Sequence, residues 1–200
     1  MLLASLLGLA AANAAPVSWS STPYKVNGEL GFQLNTGVFN KSGTLLLAEN
    51  SGGNATTFDD INFKAGKTTF RGGNVAIFHQ FTDSPHLSTF GTYGEEGSAD
   101  TVSLSGLTIG HTYRIQALVY DGRNEIGIPG RTVSFDGVNQ GRYANGINYT
   151  TWGDGLLVTG VFSADSVTQK FTIETFYQGK SMGGQLNALL LHNTTVANST

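Results

Sequence analysis

Leu104-Ser105-Gly106-Leu107-Thr108-Ile109-Gly110-His111-Thr112-Tyr113, continuing as Arg114-Ile115-Gln116-Ala117-Leu118-Val119-Tyr120 and ending in Asp121-Gly122-Arg123, decides the fold class. It reads as a short strand, a tight glycine-containing turn and a long strand whose side chains alternate between two faces. Tyr113, Ile115, Ala117 and Val119 fall on one face, with Thr112, Arg114 and Gln116 on the other. The alternation predicts one dry face and one wet face, and a dry face needs a second sheet to cover it. A later segment repeats the pattern, with Phe171, Ile173 and Thr175 opposing Lys170, Thr172 and Glu174. An all-β fold follows, a two-sheet antiparallel sandwich.

Working outward, strand-like runs are expected at 17–20, 43–49, 61–63, 68–70, 75–81, 101–104, 112–120, 131–135, 156–163, 168–177 and 185–192. Turn clusters separate them, among them Ser51-Gly52-Gly53-Asn54, Tyr93-Gly94-Glu95-Glu96-Gly97, Asp136-Gly137 and Met182-Gly183-Gly184. Glycine supplies the positive φ that such turns require, which accounts for 27 glycines without invoking low complexity. About ten strands with long glycine-rich connections suit a jelly-roll-like topology. Leu186-Asn187-Ala188-Leu189-Leu190-Leu191 is apolar enough to be a central strand.

Two hundred residues fit one domain with a real core. Charged residues are 12% of the chain, about half the usual share, and Gly, Thr, Ser and Asn replace them. The formal net charge is −3 with no basic tract, so a phosphate-tracking surface and a nucleic-acid partner are unsupported. There is no cysteine, which excludes disulfides, thiolate metal sites and a cysteine nucleophile.

The apolar run Leu2–Ala12, ending in Ala12-Asn13-Ala14, matches the h-region and small-residue cleavage site of a secretory signal, although no Lys or Arg precedes it. The run is too short to span a bilayer. The expected organisation is a signal peptide at 1–14, one β-sandwich domain at 15–192 and a polar tail at 193–200, in a protein that works outside the cell or at its surface.

Several pieces recur in order along residues 40–192. They are Gly43-Thr44-Leu45-Leu46, Gly52-Gly53, Thr57 with Ile61-Asn62-Phe63, and Leu104 to Gly110 with Tyr113, Asp121 and Arg123. Arg131-Thr132-Val133, Gly160-Val161-Phe162-Ser163-Ala164-Asp165, Thr168-Gln169 and Leu186-Asn187-Ala188-Leu189 complete the series. Together they resemble secreted bacterial β-sandwich proteins of the kind often carrying PEP-CTERM sorting tags. No Pro-Glu-Pro tag follows Leu191 here. The resemblance implies an exported jelly-roll module and names no reaction.

Chemistry-bearing residues are sparse. Asp59-Asp60 and Glu95-Glu96 are adjacent acids, and neighbours in a strand point to opposite faces, so neither pair suits one glycosidic oxygen. His79, His86, His111 and His192 lack ligand spacing, and no Gly-x-Ser-x-Gly segment is present. No cofactor is expected. Calcium is the most plausible ion, with turn acids Asp59, Asp60, Asp121, Asp136 and Asp154 as weak candidates. An ion pair of Asp121 or Arg123 with Arg131's strand would be framework.

The best binding candidate is the segment Gly141–Asp154, read as a loop. Tyr143, Tyr149 and Trp152 would stack on sugar rings while Arg142, Asn145 and Asn148 take hydroxyls, unless the aromatics fold inward and cap the sandwich. Trp19 and Tyr24 pose the same alternative. The expected activity is therefore glycan or polysaccharide binding without catalysis. The rival is a structural subunit that assembles with copies of itself into a filament or layer, through open sheet edges or its N-terminal segment.

Overall fold

The computed structural model describes residues 15–27, 33–34, 37–66, 74–77, 90–120, 131–143 and 154–196. Among them there are strands and turns and no helix, so no helix is long and apolar enough to cross a membrane. The architecture is the expected sandwich, jelly-roll-like and mostly antiparallel.

The larger sheet has eight strands. Its order is β2 (Gln33–Leu34), β1 (Ser18–Asn27), β12 (Asp154–Ser163), β9 (Thr112–Val119), β16 (Ala188–Asn193), β3 (Thr44–Asn50), β5 (Ile61–Ala65) and β4 (Thr56–Phe58). Among the described residues its one parallel pair is β3 with β5. The facing sheet runs β11 (Val138–Tyr143), β10 (Arg131–Phe135), β13 (Thr168–Tyr177) and β14 (Lys180–Ser181), and β8 (Asp100–Ser105) also pairs with β13. A small third sheet joins β15 (Gln185–Leu186), β7 (Phe90–Tyr93) and β6 (Asn74–Ile77).

Strand β9 sits at the centre, between β12 and β16. Tyr113, Ile115, Ala117 and Val119 face the second sheet and are no more than 1% exposed. They meet Phe171, Ile173, Val133 and Phe135 in one continuous core. Phe171 stacks on Phe135 with ring centroids 6.0 Å apart, and Trp19 leans on both. The turn before β9 closes on itself. The Thr108 N–H donates to the Tyr113 hydroxyl at 2.8 Å, so the tyrosine buries its ring and anchors the corner with its polar tip.

The other face of β9 departs from the sequence expectation. Alternation puts Thr112, Arg114 and Gln116 on a wet face, yet Arg114 is 9% and Gln116 2% exposed. Residues 37–43 and strands β4 and β5 cover that face, placing Phe39, Ile61 and Phe63 against Leu118, Tyr120 and Leu190. Arg114 holds the covering segment. Its guanidinium donates to the Asn40 carbonyl at 2.8 Å, to the Ser42 carbonyl at 2.6 Å and to Ser42 Oγ at 3.0 Å. His192, directly across from Arg114 on β16, is buried beside it. Burial and the neighbouring guanidinium hold the His192 imidazole below its ordinary pKa.

Strand β1 is locked to β12 from both sides. The Trp19 ring lies over Gly160 on the inner face and the Tyr24 ring over Gly155 on the outer face, where any Cβ would collide. Trp19 Nε1 donates to Asp136 Oδ2 at 2.9 Å. Both aromatics are therefore packing residues. The central placement of Leu189, Leu190 and Leu191 between β9 and β3 matches the sequence reading, but the run is interrupted at Asn187. Asn187 is fully buried; its Oδ1 accepts from the Tyr120 N–H at 2.7 Å and its carbonyl from the Ser51 N–H at 2.8 Å. It ties the ends of β9 and β3 together.

Candidate functional site

The end of the sandwich opposite the Tyr113 corner carries a groove of about 230 Å³. Its floor comes from two glycine-containing segments that pack backbone to backbone. The Gly94 N–H donates to the Gly184 carbonyl at 2.9 Å and the Gly97 N–H to the Ser181 carbonyl at 3.1 Å. Gly183 has φ +76°, and a Cβ there would strike the backbone of Gly94 and Glu95, so this close approach requires glycine. Asp100 is buried beneath them, and its Oδ2 accepts the Gly184 N–H at 2.7 Å. A side chain at Gly94 would collide with that carboxylate.

Polar side chains in the floor are fixed by internal bonds. Thr175 Oγ1 donates to the Gly183 carbonyl at 2.7 Å. Gln185 uses both ends of its amide: Nε2 donates to the Tyr120 carbonyl at 2.6 Å and Oε1 accepts from the Tyr143 hydroxyl at 3.0 Å. Tyr93, Glu96, Arg131 and Met182 complete the lining, supplying a phenol ring, a carboxylate, a guanidinium and a thioether. Tyr93 pairs with Gln185 between β7 and β15, and Arg131 pairs with Tyr143 between β10 and β11. Two sheets, the β10–β13 sheet and the small β7–β15 sheet, thus contribute to one concave site.

Of the binding residues expected from the sequence, neither described one, Arg142 or Tyr143, lines this groove. Arg142 and Tyr143 lie on strand β11, not in a loop. Arg142 is exposed, whereas Tyr143 is fully buried with its hydroxyl on Gln185; it supports the groove from behind and has no face to offer a sugar. Asn145, Asn148, Tyr149 and Trp152 lie outside the described residues. Tyr143 and Asp154, which bracket that segment in the chain, both stand at the groove end of their strands. Tyr93, Glu96, Arg131 and Gln185 went unrecognised as a set. Each sat in a turn or at a strand start, and only long-range pairing brings them together.

The calcium candidates are placed apart and differently employed. Asp59 accepts from Lys41 at 2.9 Å and from the Gly37 N–H at 3.0 Å, with Asp60 at 3.7 Å from the same ammonium. The Asp59 hydrogen bond raises the Lys41 pKa. A lysine thus takes the place expected for a cation at that pair. Asp136 accepts the Trp19 indole N–H and the Thr172 N–H at 2.9 and 2.8 Å. Asp121 is outside the described residues, as is Arg123, and Asp154 begins β12. Among the described residues no three His, Asp or Glu side chains group as an ion site.

No family model matches the chain, and no curated protein matches it. Among solved structures it is similar to the ANX1 ectodomain from Arabidopsis thaliana, at 10% identity and a TM-score of 0.48, over 77% of this chain and 49% of that one. It is also similar to a chain in the structure of the plant peptide RALF23 in complex with FER and LLG2, at 11% identity and a TM-score of 0.41, over 74% of this chain and 48% of that one. CBM35 from Paenibacillus barcinonensis is similar at 10% identity and a TM-score of 0.32, over 64% of this chain and 91% of that one. The chain spans about half the length of the first two. These likenesses are too distant to carry a residue role or a ligand across.

Proposed function

We propose that this chain is a non-catalytic module that binds glycans outside the cell, and that the groove of Tyr93, Glu96 and Arg131 takes the sugar. The observation that carries the reading is the composition of that groove. An aromatic ring, a guanidinium and a carboxylate line a preformed hollow, above a floor whose own polar groups are already bonded internally. Sugars are held by stacking on rings and by hydrogen bonds from rigidly placed polar groups, and about 230 Å³ is small against the pockets that enclose drug-sized ligands. Exposed Arg142 stands one residue from Tyr143, whose hydroxyl reaches the groove floor at Gln185. Export is supported by the apolar leader ending in Ala12-Asn13-Ala14.

Glycoside hydrolysis is not supported by the described groove residues. They include one carboxylate, Glu96, while Asp100 lies beneath the glycines and accepts a backbone N–H. The two-carboxylate arrangement that hydrolysis ordinarily uses is not formed by them.

Binding of a glycan array and of insoluble polysaccharides tests the proposal. Tyr93→Ala and Arg131→Ala are each expected to weaken binding about tenfold, with far-UV circular dichroism unchanged. Trp152→Ala with Tyr149→Ala tests whether the neighbouring segment shares the ligand. Absence of binding to any glycan, or binding untouched by both groove variants, would overturn the assignment.

A further inference from the structure

Strand β8 (Asp100–Ser105) is an edge. Among the described residues it pairs with β13 on one side only, in an unbroken register from Ser105↔Thr168 to Asp100↔Ile173. Folded proteins blunt such edges with shortness, charge, proline or a bulge, because a free row of N–H and C=O groups invites another strand. Several other edges here are blunted in these ways. β2 and β14 have two residues each and β4 has three, while β11 meets a register shift at Val133/Ser134 and carries exposed Arg142. Beyond the buried Asp100 at its start, strand β8 has none of these devices. From Thr101 to Ser105 it contains no charge, no proline and no glycine.

Its side chains also match their own reversed copy. Thr101, Ser103 and Ser105 are exposed, and Val102 and Leu104 are buried. In an antiparallel pair centred on Ser103, Val102 meets Leu104 of the partner subunit, Thr101 meets the partner's Ser105, and Ser103 meets the partner's Ser103. Apolar residues then oppose apolar residues on one face, and hydroxyls oppose hydroxyls on the other. Asp100 falls opposite the partner's Gly106. Two copies of charge −3 can meet there without acid facing acid. Beside the strand lies a second hollow of about 230 Å³, lined in part by Leu46, Leu47, Val102, Leu104, Leu189 and Leu191, with Leu46 47% exposed at its rim.

We propose that β8 is a self-association edge, through which two copies join by antiparallel pairing about Ser103. The β8-containing sheet runs on into the second copy, as an isologous two-fold contact. This contact lies on the flank of the sandwich and does not depend on the glycan reading of the end groove.

Sedimentation equilibrium of the purified chain is expected to show a dimer. Ser103→Lys places two ammonium groups opposite each other at the axis and is expected to weaken the dimer about tenfold or more. Because the chain has no cysteine, Ser103→Cys gives a single thiol. Mild oxidation is expected to yield a covalent dimer from that variant, and none from Asn139→Cys on the β11 edge. A monomer across the accessible concentration range would overturn the proposal. So would a dimer unaffected by Ser103→Lys, or one in which Cys at position 103 does not cross-link. Should Ser103→Lys misfold, the cross-linking result decides.

Discussion

The two faces of the large sheet are both buried, and they are buried in different ways. Along β9 the inner face presents Tyr113, Ile115, Ala117 and Val119 to a second sheet, and its contacts are rings and hydrocarbons. The outer face presents Arg114, Gln116 and Leu118 to a covering segment and two short strands, and its contacts mix hydrocarbon with a guanidinium, an amide and an imidazole. Alternation in a sequence tells which residues share a face. It does not tell which faces are covered, because the cover arrives from elsewhere in the chain.

The largest expected effect lies on the inner face. Phe171 is 1% exposed and touches both Phe135 and Trp19. Phe171→Ala removes a ring from the centre of the sandwich and leaves a cavity, so a loss of about 3–5 kcal/mol in unfolding free energy is expected. Denaturant unfolding measures it. A loss below about 1 kcal/mol would mean the two sheets do not share a packed core.

The outer face should respond less, and in a different currency. Arg114→Ala removes three hydrogen bonds donated by a charged, buried guanidinium to Asn40 and Ser42, with an expected cost of about 1–3 kcal/mol. Arg114→Met, which keeps the apolar stem, separates packing from hydrogen bonding. Hydrogen exchange should show the amides of residues 37–43 opening first in Arg114→Ala. Values within about 0.5 kcal/mol of wild type would mark a surface arginine and erase the contrast between the faces.

This contrast also explains what could be read in advance. Strands β9, β10 and β13 were legible because period-two alternation and β-branched or aromatic residues are local signals. Strand β11 was not. Val138-Asn139-Gln140-Gly141-Arg142-Tyr143 has two glycine-adjacent polar residues and no alternation, and it is held as a strand by pairing with β10. The groove was illegible for a related reason. Tyr93, Arg131 and Gln185 are separated by long stretches of chain, and only the β7–β15 and β10–β11 pairings place them near each other. Glycines 94, 183 and 184 read as turn residues, but they lie in irregular connections between strands, and no local signal reveals that two such connections stack to make a floor.

The smallest and most selective probe of the outer face is proton uptake at His192. Its folded pKa is depressed by burial and then by Arg114, whereas the unfolded chain titrates near about 6.5. A depressed pKa means that the unfolded state binds the proton first. The stability that neutral His192 confers is therefore fully present above about pH 6.5 and declines as the pH falls. The slope is at most about 1.4 kcal/mol per pH unit, and it levels off once the folded imidazole also accepts a proton. Charged groups around this face include Arg114 on β9, Lys41 on the covering segment, and Asp59 and Asp60 beyond it. His192→Gln removes the titration while His111 remains. Wild type should lose more stability than the variant between about pH 7 and about pH 5.5. Parallel pH profiles would show that the imidazole is solvated, and that the outer face is open where the inner face is closed.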